Sequence, residues 1–161
     1  MKTLSIIIPL YNKEKGISNT LNLIETKCAE MKISYEILII ENESTDNSFD
    51  IANNYVKNKD NISLFRSNKG LGNALKEGVA IAKNDYVAFI PADFTFGKSE
   101  LEYFSRENSQ LSEYIIGSRA LEGSFSESSF DRKIITVGFN LLKKIILNLN
   151  IKDSICLLYT S

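Results

Sequence analysis

Histidine is absent from the 161-residue chain, and its absence excludes several classes of catalytic site. Ser-His-Asp and Cys-His catalysis, a histidine general base and histidine-ligated zinc all need an imidazole ring. Any acid–base or metal chemistry must therefore use carboxylates, hydroxyls or lysines.

Cysteine is scarce, and basic residues are not in excess over acidic ones. Cys28 and Cys156 lie far apart and form no motif, so we expect buried thiols in a reducing compartment rather than a disulfide. The net charge is −1, which leaves no basic excess to neutralise phosphates, and we expect no nucleic-acid partner. The opening "MKTLSIIIPLYN" has too short an apolar run for a signal peptide and predicts a strand.

The length and the 43% apolar content predict a single domain, residues 1–161, with a hydrophobic core. The apolar period switches repeatedly between strand-like and helix-like. Strands are predicted at Leu4–Pro9, Tyr35–Glu41, Ile62–Arg66, Asp85–Ile90 and Glu113–Arg119. Helices are predicted over Ile17–Met31, from the cap residues Ser44–Asp46 to Val56, over Asn73–Ala82 and near Ser99–Asn108.

This alternation predicts an α/β fold with right-handed crossovers and a mainly parallel sheet. In open sheets of this kind, ligands bind beyond the carboxyl ends of the strands. The stretches expected at that edge are Pro9–Asn12, Glu41–Asp46, Arg66–Gly72, Pro91–Thr95 and Gly117–Arg119.

The last third of the chain has a different composition. Residues 122–131 are rich in serine and acids and predict a flexible surface loop. Residues 132–151 are apolar but interrupted by Lys143 and Lys144, which favours a buried or interfacial helix over a membrane span.

Two short motifs fail on inspection. "GKS" at Gly97–Ser99 resembles the end of a P-loop, but Ala92 stands where that loop needs glycine. "GLGNAL" at Gly70–Leu75 has Leu75 in place of the third glycine of a dinucleotide fingerprint, and it follows the third strand rather than the first.

Five stretches carry a family resemblance, and they occur in one order along residues 3–153. They are "SIIIPLYNKE", "ILIIENESTDNS", "NKGLGNALKEG", "NDYVAFIPADF" and "IGSR". Together they resemble the family 2 glycosyltransferases of the GT-A (Rossmann-like) fold, and within them the polyprenyl-phosphate sugar synthases such as dolichyl-phosphate mannose synthase.

The resemblance implies a site for a nucleotide-diphosphate sugar. Pro9, Tyr11 and Glu41 would hold the base and ribose. The family carries two aspartates and a glycine where this chain has Glu41-Asn42-Glu43. A plain helix N-cap is the alternative role for Ser44–Asp46.

The "NKGLG" stretch would face the phosphates of the donor. It contributes Asn68, Lys69, Gly70 and Gly72. Glycines allow close backbone approach or a positive φ, and Asn68 could cap the turn. An ordinary strand-to-helix connection is the alternative interpretation.

The resemblance also implies Mg²⁺ or Mn²⁺ at the end of the fourth strand. Family members carry Asp-x-Asp there, whereas this chain has Pro91-Ala92-Asp93. Asp93 would then be the metal ligand and catalytic residue beside Ala92, with Thr95 adding a hydroxyl. One carboxylate is chemically sufficient when phosphates and water complete the octahedron. The alternative for Asp93 is a cap or turn.

Three further residues are implied for the acceptor phosphate. Arg119 matches the family's Gly-Ser-Arg, and Arg132 with Thr136 would lie on one helical face. Guanidinium groups bind phosphate bidentately, but a surface salt bridge is the alternative role for each.

We therefore expect an inverting transferase at the cytoplasmic face of a membrane, with a polyprenyl phosphate as acceptor. The alternatives are transfer to a saccharide hydroxyl, a catalytically degenerate nucleotide-sugar binding module, and a nucleotidyltransferase. Asp153 also matches the lipid-phosphate branch. The glycine-aromatic segment expected after Asp153 is missing, which suggests a truncated chain.

Overall fold

The computed structural model describes residues 3–94, Leu101, Glu102 and Ser105, and the backbone of two further strands, Tyr114–Gly117 and Cys156–Thr160. The chain divides into two compact units, residues 1–114 with 158–161, and residues 115–157. The first unit contains the sheet and helices discussed below. The second unit contains most of the strand Tyr114–Gly117.

Strands and helices alternate through the first unit as the sequence predicts. The elements in chain order are β1 (Thr3–Leu10), α1 (Ile17–Glu30), β2 (Ser34–Glu41), α2 (Ser48–Val56), β3 (Ile62–Arg66), α3 (Leu71–Ile81), β4 (Tyr86–Phe89), β5 (Tyr114–Gly117) and β6 (Cys156–Thr160). Leu101, Glu102 and Ser105 are helical, within the predicted helix Ser99–Asn108.

The differences from the predicted boundaries are small and local. Met31 lies just beyond the end of α1 rather than inside it. The third helix begins at Leu71 rather than Asn73, directly after Gly70. No strand was predicted for residues 156–160, which form β6.

The α/β fold with a mainly parallel sheet is confirmed. The strands β3, β2, β1 and β4 lie side by side in that order and are parallel. On its far edge, β4 pairs antiparallel with β6, and Ala88 faces Leu158.

The core is built on β1, which is covered on both faces. Its apolar side chains Leu4, Ile6, Ile7, Ile8 and Leu10 have no exposed surface. Such a continuous apolar run is typical of a parallel strand with helices on both sides. The helical spacing of Ile17, Leu21, Ile24, Cys28 and Met31 predicts one inner face for α1. The first four are fully buried, whereas Met31, just beyond the helix, is half-buried.

Helix α3 packs closely on the sheet at a glycine. A Cβ atom on Gly78 would lie 2.5 Å from Cγ2 of Ile7. This contact brings α3 close to β1. In the described part of the chain, no helix combines the length and the apolar character that crossing a membrane requires.

Candidate functional site

The loops after the four parallel strands begin at one edge of the sheet. The N–H of Asn42 donates to the carbonyl of Leu10 (2.9 Å), and the N–H of Ser67 donates to that of Glu41 (2.9 Å). At β4, the N–H of Ile90 donates to the carbonyl of Ile7 (3.0 Å). The sequence prediction that these stretches meet at one edge is confirmed for the first four of them.

The loop after β1 is held by side chains of the loop after β2. Asn12 accepts from the N–H of Thr45 (2.8 Å) and donates its own N–H to the Ser44 hydroxyl (3.2 Å). The N–H of Lys13 donates to the hydroxyl of the buried Ser48 (2.7 Å). Asn12 has φ 49°, a left-handed conformation that asparagine tolerates well.

The interpretation of Ser44–Asp46 as a plain helix N-cap needs correction. Helix α2 begins at Ser48, and Asn47 occupies the N-cap position. Ser44 and Thr45 bond to Asn12 instead. Asp46 does accept the N–H of Ser48 (2.9 Å), but its other oxygen accepts the N–H of Glu14 (3.1 Å). These residues mainly join two loops.

These contacts also affect the ionisation of Asp46. Desolvation raises the pKa of its carboxyl, but hydrogen bonds from the Ser48 hydroxyl and from backbone N–H groups outweigh it. The pKa of Asp46 therefore lies below its ordinary value, because these donors favour the carboxylate.

Glu41, the acid predicted to contact the base, is a buried carboxylate at this edge. It is 4% exposed, and its Oε1 accepts the N–H of Ser44 (2.5 Å). Its Oε2 lies 3.8 Å from Nε of Arg66, whose guanidinium carbon is 3.9 Å from the ring centre of Phe49. The sequence assigned no role to Arg66 or Phe49, because only the packing of α2 beside β3 brings them together.

Asn42 and Glu43 hold the loop before α3. The buried Asn42 accepts the N–H of Gly70 through Oδ1 (2.7 Å), and Glu43 accepts the N–H of Lys69 through Oε1 (3.3 Å). Glu43 stands where the family has glycine, and it keeps the left-handed conformation with φ 56°. Asn42 and Glu43, which both depart from the family pattern, therefore each have a hydrogen-bond partner in the loop before α3.

The "NKGLG" stretch needs glycine at one position. Gly70 has φ 120°, a conformation that residues with a side chain rarely adopt. Gly72 is helical, and an added Cβ would meet no described atom within 4 Å. The Asn73 side chain donates to the carbonyl of Lys69 (2.9 Å). The capping of this turn by Asn68 stays a prediction.

Lys69 also approaches a residue predicted to bind the donor. Its ammonium nitrogen lies 5.6 Å from the ring centre of Tyr11, which is 42% exposed. Pro9, the third residue predicted there, is half-buried in β1. Tyr11 and Lys69 thus offer an aromatic face and a cation side by side.

A cleft of about 510 Å³ opens between the end of β3 and the start of α3. Its lining is mostly polar. It comprises Glu43, Arg66, Ser67, Asn68, Asn73, Lys76 and Glu77. Asn68 is the predicted donor-binding residue that lines it.

The end of β4 forms a tight turn. The carbonyl of Pro91 accepts the N–H of Phe94 (2.9 Å). Ala92 is buried, and its carbonyl accepts the hydroxyl of Thr20 on α1 (2.7 Å). Asp93 is half exposed, and its Oδ2 lies 3.6 Å from the ammonium nitrogen of Lys13.

The described residues fit a divalent metal ion poorly. Among them, no group of three or more acidic, cysteine or histidine side chains is arranged to hold one. Pro91 has no carboxylate, and the Ala92 carbonyl bonds to Thr20. Among the described residues, an ion on Asp93 would therefore have one carboxylate ligand, with the Lys13 ammonium beside it. The metal role of Asp93 stays a prediction.

Several predicted residues and segments lie outside the described part of the chain. They are Thr95, Arg119, Arg132, Thr136, Asp153, the loop 122–131 and the apolar segment 132–151.

Comparison with known proteins gives the family. The sequence profile of glycosyl transferase family 2 matches residues 5–156. The poly(ribitol-phosphate) beta-glucosyltransferase of Bacillus spizizenii is 34% identical over 65% of this chain and 17% of its own length. The dolichyl-phosphate beta-glucosyltransferase of Dictyostelium discoideum is 30% identical over 95% of this chain and 52% of its own.

A solved structure is also similar to this chain. A crystal structure of S. aureus TarS is 26% identical, covers 65% of this chain and 31% of its own, and superposes with a TM-score of 0.51. The chain spans about half or less of the length of these proteins. Because the family profile matches nearly all of it, the chain belongs to glycosyl transferase family 2.

Proposed function

We propose that the protein transfers a sugar from a nucleotide-diphosphate sugar to a polyprenyl phosphate, with inversion at the anomeric carbon. The observation that carries the proposal is that one edge of the sheet bears Tyr11, Glu41 and Lys69, in the order of the family motifs, with Lys69 5.6 Å from the Tyr11 ring centre. The Dictyostelium relative named for a dolichyl-phosphate acceptor matches 95% of the chain, which supports this acceptor class.

The described residues suggest how the donor would bind. The half-exposed Tyr11 ring offers a stacking face for the base or ribose. The Glu41 carboxylate can accept from a ring N–H of the base, because within the described part of the chain its Oε2 is paired at a distance, with Arg66 at 3.8 Å. Lys69 lies over Tyr11 and would reach the phosphates.

The acceptor chemistry agrees with the missing histidine. A phosphate oxygen is already anionic and attacks without a general base, whereas a sugar hydroxyl needs one. In this proposal Arg119, Arg132 and Thr136 bind the acceptor phosphate. Residues 132–151 rest on the cytoplasmic face of the membrane, where such a lipid would be found.

The Mg²⁺ or Mn²⁺ that the family resemblance implies stays a prediction in this proposal. Asp93 would be its carboxylate ligand among the described residues. Because the surrounding groups fit an ion poorly, no step of the proposed transfer depends on it.

A second candidate is transfer to a hydroxyl of a phosphate-containing polymer. It is favoured by the Bacillus relative, whose name gives poly(ribitol-phosphate) and whose identity to this chain is 34%. A carboxylate base would then be expected downstream in the chain, where the sequence has no clear candidate. A binding module without turnover is the third candidate, because Pro91 removes one acid.

Two measurements test the proposal. Calorimetric titration with UDP, GDP, CDP and ADP asks whether the edge binds a nucleoside diphosphate, and UDP comes first because TarS was solved with UDP-GlcNAc. Radiolabelled UDP-glucose incubated with dolichyl phosphate in detergent then reports the acceptor.

Organic-extractable label supports the lipid phosphate. Label found only in water-soluble polymer supports the second candidate, and binding without any turnover supports the third. In all cases Glu41→Gln should weaken binding about tenfold, since it keeps the shape but loses the charge. The matched control is Glu30→Gln at the end of α1, which should change nothing.

A further inference from the structure

Lys13 provides a positive charge at the end of β4, where the chain lacks the family's first acid. Its ammonium nitrogen is 3.6 Å from Oδ2 of Asp93, and both side chains are about half exposed (46% and 48%). Pro91, two residues before Asp93, has neither a carboxylate nor an N–H to offer. The carboxylate that remains at this position therefore already has a cation beside it.

The backbone of Lys13 is held in place on both sides. Its N–H donates to the hydroxyl of the fully buried Ser48 (2.7 Å). The residue before it, Asn12, donates to Ser44, and the residue after it, Glu14, donates to Asp46. The Lys13 ammonium is exposed, but hydrogen bonds fix the backbone from which its side chain extends towards Asp93.

A diphosphate cannot approach Asp93 without a cation between them, because like charges at such distances repel strongly. We propose that Lys13 supplies this cation, so that the protein binds and releases the diphosphate without a divalent ion. This inference rests on the proposed function and names the group that stabilises its leaving group.

The transfer step balances without any other reactant. An acceptor phosphate oxygen bonds to the anomeric carbon, and the bond from that carbon to the diphosphate breaks. The bonding electron pair goes to the diphosphate oxygen. Lys13 donates hydrogen bonds to the negative charge that develops on the diphosphate.

Lys13 and a divalent ion would compete for the same carboxylate. Mg²⁺ binds carboxylate oxygen at about 2.1 Å, so an ion on Asp93 would lie within a few ångströms of the ammonium. The ammonium would have to move away. Removing Lys13 should therefore make this site respond to metal.

The experiment is calorimetry on the 161-residue chain with UDP, or with whichever of UDP, GDP, CDP and ADP binds most tightly, in EDTA and in Mn²⁺. The unchanged protein should bind equally in both. In EDTA, Lys13→Ala should bind the nucleoside diphosphate about tenfold to hundredfold more weakly, the range for one charge-assisted contact. Mn²⁺ should restore part of the lost affinity.

The controls separate this role from a general effect of charge or folding. Lys13→Arg should keep most of the affinity because it keeps the charge. Lys15→Ala removes an exposed charge two residues away and should leave binding within about twofold, since exposed charges contribute little. The binding of the matching nucleoside, which has no phosphate, should be the same with and without Lys13.

Two results would overturn the inference in different ways. If binding of the unchanged protein requires Mn²⁺ and Lys13→Ala alters nothing, the role of Lys13 is wrong while the proposed function survives. If the folded chain binds none of the four nucleoside diphosphates in either buffer, the proposed function fails and this inference fails with it.

Discussion

At the scale of single residues, Asn42 shows how a departure from the family pattern is accommodated. Its amide oxygen accepts the N–H of Gly70, and the side chain is buried. The loop that carries Lys69 therefore depends on the residue that stands where the family has a second aspartate.

Asn42→Ala should destabilise the protein by about 1–3 kcal/mol, because it leaves the Gly70 N–H without its acceptor. Asn42→Asp should lose much less stability, because a carboxylate can also accept the hydrogen bond from the Gly70 N–H. Chemical denaturation measures both, with Asn53→Ala on the exposed side of α2 as the control. Equal losses in the two Asn42 variants would contradict the hydrogen bond as the cause.

Asp46 predicts an acid-sensitive contact between the first two loops. Its pKa lies below the ordinary value of 3.8, so its stabilising effect is complete above that pH and is lost as the pH falls through the lower, folded-state pKa. The thermal midpoints of the unchanged protein and of Asp46→Asn should therefore converge below about pH 4.

Asp60→Asn removes an exposed charge and serves as the reference for that experiment. The difference in thermal midpoint between the unchanged protein and Asp46→Asn could instead stay constant down to pH 2. The Asp46 carboxylate would then not act through its charge.

At the scale of elements, the close packing of α3 on the sheet depends on Gly78. A Cβ there would come within 2.5 Å of Ile7. Such an approach forces either the helix or the strand side chain to shift. The sequence offered no signal for this, because a glycine inside a helix has the same local appearance whether or not it is packed.

Gly78→Ala should therefore destabilise the fold by about 1–3 kcal/mol through overpacking. Gly72→Ala in the same helix should stabilise it by about 0.5–1 kcal/mol, since alanine favours helix and no described atom lies within 4 Å of the new methyl group. Denaturant midpoints measure both. If both changes stabilised the fold, helix propensity rather than packing at Ile7 would decide the effect.

At the scale of the whole molecule, three titratable groups predict weakness at alkaline pH: the buried Cys28 and the half-buried Tyr35 and Tyr55. Burial, with the charge of Glu25, raises the pKa of the Cys28 thiol from 9.0 to about 12. Burial also raises the pKa of Tyr35 and of Tyr55, whose hydroxyl lies 2.5 Å from Glu25. Each raised pKa contributes stability below the unfolded-state value that is lost as the pH rises.

The thermal midpoint should therefore be level from pH 7 to about 9 and fall progressively above it. The thermal midpoint of Tyr55→Phe should fall less steeply above pH 10, since this variant lacks one of the three titratable groups. A thermal midpoint that stays constant to pH 11 would contradict the raised pKa values of these groups.

The sequence by itself determined the α/β class, all five predicted strands to within one or two residues, the inner face of α1 except for Met31, and the edge of the sheet that bears the candidate site. These follow from local periodicity and from the rule that parallel strands end at one edge. The five motifs likewise predicted the family correctly.

Only the tertiary structure decided which residues of that edge meet. The pairs Lys13–Asp93, Asn42–Gly70 and Arg66–Phe49 join positions on different elements, and no local pattern specifies their contacts. The distance between such side chains depends on how the helices and loops pack on the sheet. The sequence placed Asp93 as an acid at the end of a strand, and packing gave it a lysine as its neighbour.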